Sequence, residues 1–256
     1  MSITFIIPVG GGQVFSDYFL SSPMLQRHPE VQVLPQRKFK SAGLALNDGI
    51  DRAVNDVIVC AHQDVIFPAT WVERFLGRLE ELESKQGPVG VVGCAGITST
   101  GKVAAHVYHR DRELVSECPL PAEIETLDEL LVAFRKSSGL RFDSNVPGFF
   151  NYAPDICMEA RSRGLGSFVV DVPVVHYTKD KLLPDMLPAV EYEAGENLIR
   201  KWPQYVPPRT LCGNFGNIWN FRANRGKRWL LHVIRYSPTP WWETLRQVDL
   251  KSVLSE

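Results

Sequence analysis

Four polar residues stand where their types and spacing could do chemistry. His62 and Asp64 close the apolar run Val57-Ile58-Val59-Cys60-Ala61, which has the length and β-branched content of a fully buried strand. Asp155 lies in the first turn of a stretch with helix start and stop signals, and His176 ends a late apolar run. Carboxylate oxygens suit hard divalent cations such as Mg2+ or Mn2+, and an imidazole suits Mn2+. A further carboxylate can take the proton from an attacking hydroxyl. Such a set fits a displacement in which a metal acts as Lewis acid on a departing phosphate. Each residue also has a plainer role. Asp64 could cap or turn the chain, His62 could stand beside a site as a structural group, and His176 could be a satisfied core histidine. Asp155 could be no more than a helix-start charge, which the helix dipole favours.

The elements that must position these groups alternate strand and helix. Ser2 to Val9 reads as a first strand with Pro8 at its margin, because proline donates nothing to a ladder. Gly10-Gly11-Gly12 follows, then helical spacing over Phe15 to Leu25, then a second strand over Val31 to Leu34, parallel to the first. The glycines do not form G-x-G-x-x-G, and no G-K-S/T is present, which excludes the dinucleotide fingerprint and the Walker loop. Ser41 to Val54 reads as a helix in which Asn47 and Gly49 are poor interior residues, marking a frayed segment or a polar side chain kept for a ligand. The strand before His62 comes next, and in open α/β sheets ligands bind at that strand end.

Trp71 to Leu82 is an amphipathic helix, and Pro88 to Gly96 a further buried strand. Val103 to Tyr108 and Glu113 to Ser116 form a hairpin with His106 and His109 on its surface, whereas Glu125 to Arg135 fits helix and strand equally. Ala153 to Gly164 is a helix, Phe168 to Val175 holds two β-rich runs around Pro173, and a last helix spans Pro188 to about Trp202.

Composition narrows the class. At 256 residues with a net charge of −1, the chain is long enough for one large α/β domain and implies no polyanionic partner. No apolar run reaches membrane-spanning length, and the first strand lacks a basic leader, so neither a span nor a signal peptide is expected. The five scattered cysteines form no C-x-x-C pair, which predicts reduced thiols, a cytoplasmic setting and no zinc cluster.

In their order, I-T-F-I-I-P-V, A-L-N-D-G-I, H-Q-D-V, R-F-D, Y-A-P-D-I-C-M-E-A-R-S-R-G and V-P-V-V-H-Y-T, running from about Ile3 to Trp202, the chain resembles the GT-A glycosyltransferases of the family-2 type. The resemblance implies an α/β fold with a mixed, mostly parallel central sheet flanked by helices. Residues 1–205 would form the transferase domain, with a nucleotide-binding half to about 100 and an acceptor-binding half after it. A C-terminal helical extension over 206–256 would follow.

It implies inverting transfer of a sugar from a UDP-, GDP- or dTDP-sugar to a carbohydrate or lipid-linked hydroxyl. Asp64 and His176 would hold Mn2+ or Mg2+, and His62 stands where the family usually has a carboxylate. Asp155 would be the general base. Pro8, Val9, Ser41, Asn47, Gln63 and Gly96 would line the donor site, with Gly96 leaving room for the sugar. Asp128 would touch the acceptor.

Two other readings remain at this level: a nucleotidyltransferase, against which the missing G-x-G-T-R-type loop argues, and a catalytically silent binding module of the same shape. The tail is basic and rich in tryptophan, with no acidic residue between Glu196 and Glu243. Packing or a homodimer contact ranks first for it. A peripheral contact with the inner face of a membrane ranks second, and nucleic acid, for which no module is recognisable, a distant third. Lys179 and Lys181 read as solvated loop charges rather than phosphate clamps.

Overall fold

A computed structural model describes residues 2–110, 112–177, 187–205, 209–211, 213–214, 245–247 and 249–255. Lys179, Lys181, Cys212 and most of the basic, tryptophan-rich tail lie outside the described residues.

The chain runs β1 (Ile3–Pro8), α1 (Gly12–Asp17), α2 (Pro23–Arg27), β2 (Gln32–Gln36), α3 (Ala42–Arg52), β3 (Val57–Ala61), β4 (Val65–Ile66) and α4 (Trp71–Lys85). It continues through β5 (Val89–Gly93), β6 (Ala95–Ile97), β7 (Val103–Ala105), β8 (Val107–His109), β9 (Arg112–Leu114), β10 (Ala122–Glu123), β11 (Thr126–Leu127) and β12 (Leu131–Arg135). Then come α5 (Tyr152–Ser162), β13 (Gly166–Val169), β14 (Val174–His176) and α6 (Leu187–Lys201). In the tail, the described residues form β15 (Arg209–Thr210), β16 (Gly213–Asn214), β17 (Leu245–Gln247) and α7 (Leu250–Ser255).

The central sheet has seven strands in the order β10-β13-β5-β12-β3-β1-β2. β1 lies parallel between β2 and β3, and β13 is parallel to β5. β12 is antiparallel to both β3 and β5, and β10 is antiparallel to β13. Five strands therefore run one way and two the other, the mixed and mostly parallel sheet that the resemblance implies. The sheet takes strands from both sides of residue 100, so the two halves of the chain share one core.

Period-two alternation sorts that core into two layers. Ile3, Phe5, Ile7, Val57, Val59 and Ala61 face α4 with Phe19, Phe67, Trp71 and Phe75, whereas Ile6, Ile58 and Cys60 face α3 and α5 with Leu46, Ile50 and Ile156. Phe5 and Phe67 meet edge to face with centroids 5.2 Å apart, and Trp71 stacks on Phe75 at 4.7 Å, the offset and T-shaped contacts that ring quadrupoles favour.

Two local readings change. The helical spacing over Phe15 to Leu25 is divided among α1, a 3-10 turn at Phe19–Ser21 and α2, because Pro23 bars its predecessor Ser22 from helical backbone and starts a new helix. The ambiguous Glu125 to Arg135 stretch is strand, as β11 and β12. Gly49, a poor helix residue, sits inside α3 because a Cβ there would stand 2.3 Å from Ile6 Cγ2. The helix can lie on β1 only without that carbon. No helix among the described residues is long and apolar enough to cross a membrane.

A second sheet, in the order β17-β9-β8-β14-β4, stands at the end of the first. The expected hairpin is its β8–β9 pair, in register from Val107 opposite Leu114 to His109 opposite Arg112. Phe67 joins this sheet to the aromatic layer and is fully buried. Phe67→Ala is expected to lower the unfolding free energy by about 3–5 kcal/mol, as for other buried phenylalanines, measured by urea denaturation.

Candidate metal centre

The five residues of β3 are all buried, and the strand's pairing runs one step past its end, where His62 N–H donates to Leu130 O at 3.1 Å. The chain then turns at His62-Gln63-Asp64 and enters β4, which belongs to the second sheet. β4 pairs antiparallel with β14, placing His176 opposite Val65, and Tyr177 N–H donates to Asp64 O at 2.8 Å. That pairing brings His176 to Asp64. His176 Nε2 lies 3.4 Å from Asp64 Oδ2, and His62 Nδ1 lies 4.0 Å from Asp64 Oδ1.

Among the described residues these three gather one ligand atom each within 4.8 Å of one another. All are reachable from solvent, with side chains 38% (His62), 20% (Asp64) and 23% (His176) exposed. Two backbone contacts steady the rim: Arg110 N–H donates to His176 O at 3.1 Å, and Gly11 N–H donates to Gln63 Oε1 at 3.1 Å. Gln63 thus ties the glycine turn after β1 to the corner after β3. Pro8 is the last residue of β1, and Val9 N–H donates to Gln36 O at 2.7 Å, so both stand at the same strand-end edge.

The electrostatics favour the ligand forms. Burial works to raise the Asp64 carboxyl, but the hydrogen bond and charge of His176, with His62, more than offset it and hold it below the usual carboxylate range. His62 is recessed among protein atoms even though part of its ring meets water. That loss of hydration, with His176 beside it, holds it below the usual imidazole value against the pull of Asp64 and Asp128. At neutral pH Asp64 is therefore ionised and His62 neutral, as metal ligation requires.

One further carboxylate acts on the cluster. Asp128, half-buried, is close enough to act on His62, and its Oδ1 accepts from Leu130 N–H at 3.0 Å. Glu129 accepts from Asn151 N–H at 2.7 Å, and Tyr152, whose hydroxyl donates to the Glu129 carbonyl at 3.0 Å, feels Glu129, Asp128 and Asp64 together. Burial and these carboxylates push the Tyr152 phenol well above its ordinary value. Glu129, Asn151 and Tyr152 escaped the sequence reading. The one hint was an acidic pair, Asp128-Glu129, directly ahead of an apolar run.

Four expected site residues are used elsewhere. Asp155 is 1% exposed, and both its oxygens are taken, Oδ1 by Trp202 Nε1 at 2.7 Å and Oδ2 by Lys201 Nζ at 3.0 Å. Lys201 also pairs with Asp143 at 2.9 Å. Burial raises the Asp155 carboxyl above the usual range, with Lys201 and Trp202 pulling against it. A carboxylate sealed in this way fastens α5 to α6 and cannot meet an acceptor hydroxyl, so the general-base role does not fit it.

Asn47 spends its amide on the Phe142 backbone, donating to its carbonyl at 2.8 Å and accepting from its N–H at 3.1 Å, and so pins a loop to α3 instead of a nucleotide. Ser41, 4% exposed, caps α3 by accepting from Leu44 N–H. Gly96 makes room for protein, since a Cβ there would stand 2.6 Å from Thr126 O.

No known protein-family profile matches the chain. A curated relative from Fuscovulum blasticum, "ATP synthase subunits region ORF 6", is 23% identical over 137 residues, spanning 50% of this chain and 54% of the relative. Among solved structures, the chain is similar to the Pyrobaculum calidifontis mannosyltransferase PcManGT in complex with GDP-Man and Mn2+. The TM-score is 0.49 at 12% identity, over 87% of this chain and 69% of that one. It is also similar to S. aureus TarS 1-349 in complex with UDP-GlcNAc, with a TM-score of 0.46 at 11% identity, over 78% of this chain and 66% of that one.

Two outcomes follow from the geometry. Asp155→Asn is expected to cost about 1–3 kcal/mol of stability in urea denaturation, the penalty for disturbing a buried polar partner. Mn2+ affinity, followed by electron paramagnetic resonance, is expected to fall as the pH is lowered, because a ligand must be unprotonated to bind and protons compete with the ion for His62.

Proposed function

We propose that this chain is a metal-assisted glycosyltransferase acting on a nucleoside-diphosphate sugar. The observation that carries the reading is the His62–Asp64–His176 cluster at the carboxyl end of the central strand β3, faced by Asp128. In an open α/β sheet that position is where a ligand binds. The donor would lie along the ends of β1 and β3, over the turn Gly10–Gly12 that Gln63 holds in place, with Pro8 and Val9 beside the nucleoside. Mn2+ or Mg2+ bound by the three ligands would neutralise the departing diphosphate.

Asp128 replaces Asp155 as the candidate base, because it is half-buried beside the cluster and not sealed in the core. The acceptor hydroxyl oxygen would bond to the anomeric carbon as the bond from that carbon to the diphosphate oxygen breaks. Asp128 would accept the hydroxyl proton, and the nucleoside diphosphate would leave. Attack opposite the leaving group gives inversion, the outcome that the sequence resemblance implies. The acceptor would be a carbohydrate or lipid-linked hydroxyl.

The test is a panel of UDP-, GDP- and dTDP-sugars, each with and without Mn2+, read by thermal stabilisation and by release of nucleoside diphosphate. One sugar nucleotide is expected to raise the unfolding temperature in Mn2+ and to be turned over slowly. Asp64→Asn is expected to lose the metal-dependent part. Asp128→Asn is expected to keep donor binding and to lower kcat about 10²- to 10⁴-fold, the usual contribution of a general base. Stabilisation by no sugar nucleotide, with or without metal, would remove the reading.

A further inference from the structure

We infer that the His62–Asp64–His176 set selects first-row transition ions over Mg2+, and that His62 is the residue that sets the selection. The inference rests on the reading of these three residues as the metal centre of the proposed transferase. It goes further by naming the class of ion and the side chain responsible.

The donor set is two imidazole nitrogens and one carboxylate. Mg2+ seeks oxygen ligands and sheds its own water reluctantly, whereas paired imidazoles with one carboxylate suit Mn2+, Fe2+, Co2+ and Zn2+. The oxygen donors that Mg2+ would prefer stand close by but outside the cluster. Asp128 accepts from Leu130 N–H and Glu129 from Asn151 N–H through one oxygen each, and neither carboxylate belongs to the converging set.

The spacing also fits a bound transition ion. Ligand atoms at about 2.1 Å from a common ion stand about 3–3.5 Å apart. The distance from His176 to Asp64 Oδ2, 3.4 Å, already meets this, whereas His62 stands 4.0 Å from the other Asp64 oxygen and the three-atom set spans up to 4.8 Å, so His62 must move inward to close on an ion. His62 has that freedom, because it is the most exposed of the three side chains. His176 is the anchored partner. Its strand is pinned on one side by β4, and on the other by β8, where the His109 ring lies 5.6 Å from its own. The anchored Asp64–His176 pair would bind an ion in either case. Residue 62 then adds a nitrogen donor where a carboxylate would have added an oxygen.

Any nitrogen-containing site favours later transition ions over Mg2+ to some degree, so the decisive comparison is between variants. Metal-stripped protein without nucleotide is titrated calorimetrically with Mn2+, Co2+, Zn2+ and Mg2+, and Co2+ binding is also followed by its visible absorption. His62→Asp exchanges the nitrogen donor for oxygen, His62→Gln removes the imidazole at similar size, and circular dichroism checks that both variants are folded.

The wild-type chain is expected to bind Co2+ at least about 100-fold more tightly than Mg2+. His62→Asp is expected to narrow that ratio at least tenfold, by weakening Co2+ and strengthening Mg2+. His62→Gln is expected to weaken Co2+ and change its spectrum, and to lower the Co2+/Mg2+ ratio. An unchanged Co2+/Mg2+ ratio and spectrum in both folded variants would overturn the inference, as would a wild-type chain that binds no ion. Because no nucleotide is present, selective uptake that depends on His62, in a protein that binds no sugar nucleotide, would sustain this inference and remove the transferase reading. Turnover of a sugar nucleotide with a metal preference indifferent to residue 62 would do the reverse.

Discussion

The antiparallel pairing of β4 with β14 is the constraint on which the rest of the site depends. β3 is buried on both faces and must deliver its chain to the sheet edge, where the backbone turns out through His62, Gln63 and Asp64. Two residues of β4 then bond to a strand that arrives more than a hundred positions later. The hydrogen bond from Tyr177 N–H to Asp64 O and the register of His176 opposite Val65 fix a carboxylate against an imidazole. Because side chains alternate along a strand, a one-residue slip would turn His176 to the other face and disperse the cluster. The five-stranded sheet therefore sets a register, and the register makes the site.

The same residue type meets two fates in this fold, and the surroundings decide which. Asp64 is partly buried but has two histidines beside it, and its carboxyl is held low. Its contribution to stability is thus present at neutral pH and is lost as the pH falls through its folded value. Asp155 is sealed more deeply, and even with Lys201 and Trp202 on its two oxygens its carboxyl is held high. The sign is then reversed, and ionisation of Asp155 weighs against folding as the pH rises through its folded value. Its position in the first turn of α5 suggested chemistry, but that turn sets Asn151 and Tyr152 against Glu129 and turns Asp155 inward toward Lys201 and Trp202.

Most of the framework was legible because it is written in local periodicity. The buried runs of β1, β3 and β5 and the amphipathic stripe of α4 all stand where hydrophobic spacing puts them. Pro8 ends its strand, and α5 stops before Gly164 as expected. The stretch before Arg135 was ambiguous because Leu130, Leu131, Val132, Ala133 and Phe134 are apolar on every face. β12 is such a run because it is flanked by strands on both sides and covered on both faces. The polar residues of α3 misled for a related reason. Asn47 and Ser41 look available in one dimension, but the loop that consumes Asn47 comes almost a hundred residues later, and only folding brings it there.

The sequence by itself determined the alternation of strands and helices, the buried strand that ends in His62 and Asp64, and the pairing of imidazole with carboxylate as a cation-binding chemistry. Those features depend on neighbours within a few residues, where side-chain type and spacing act directly on the backbone. The resemblance set His176 beside Asp64 as an expectation, and the tertiary structure decided which distant groups share the strand end. It brought His176 and Asp128 to His62 and Asp64, sent Asp155 to Lys201 and Trp202, and filled the space beside Gly96 with Thr126. Side chains far apart in the chain meet only through sheet register and helix packing, and the free energy of those contacts is set by burial and partner charge that no single stretch of sequence contains.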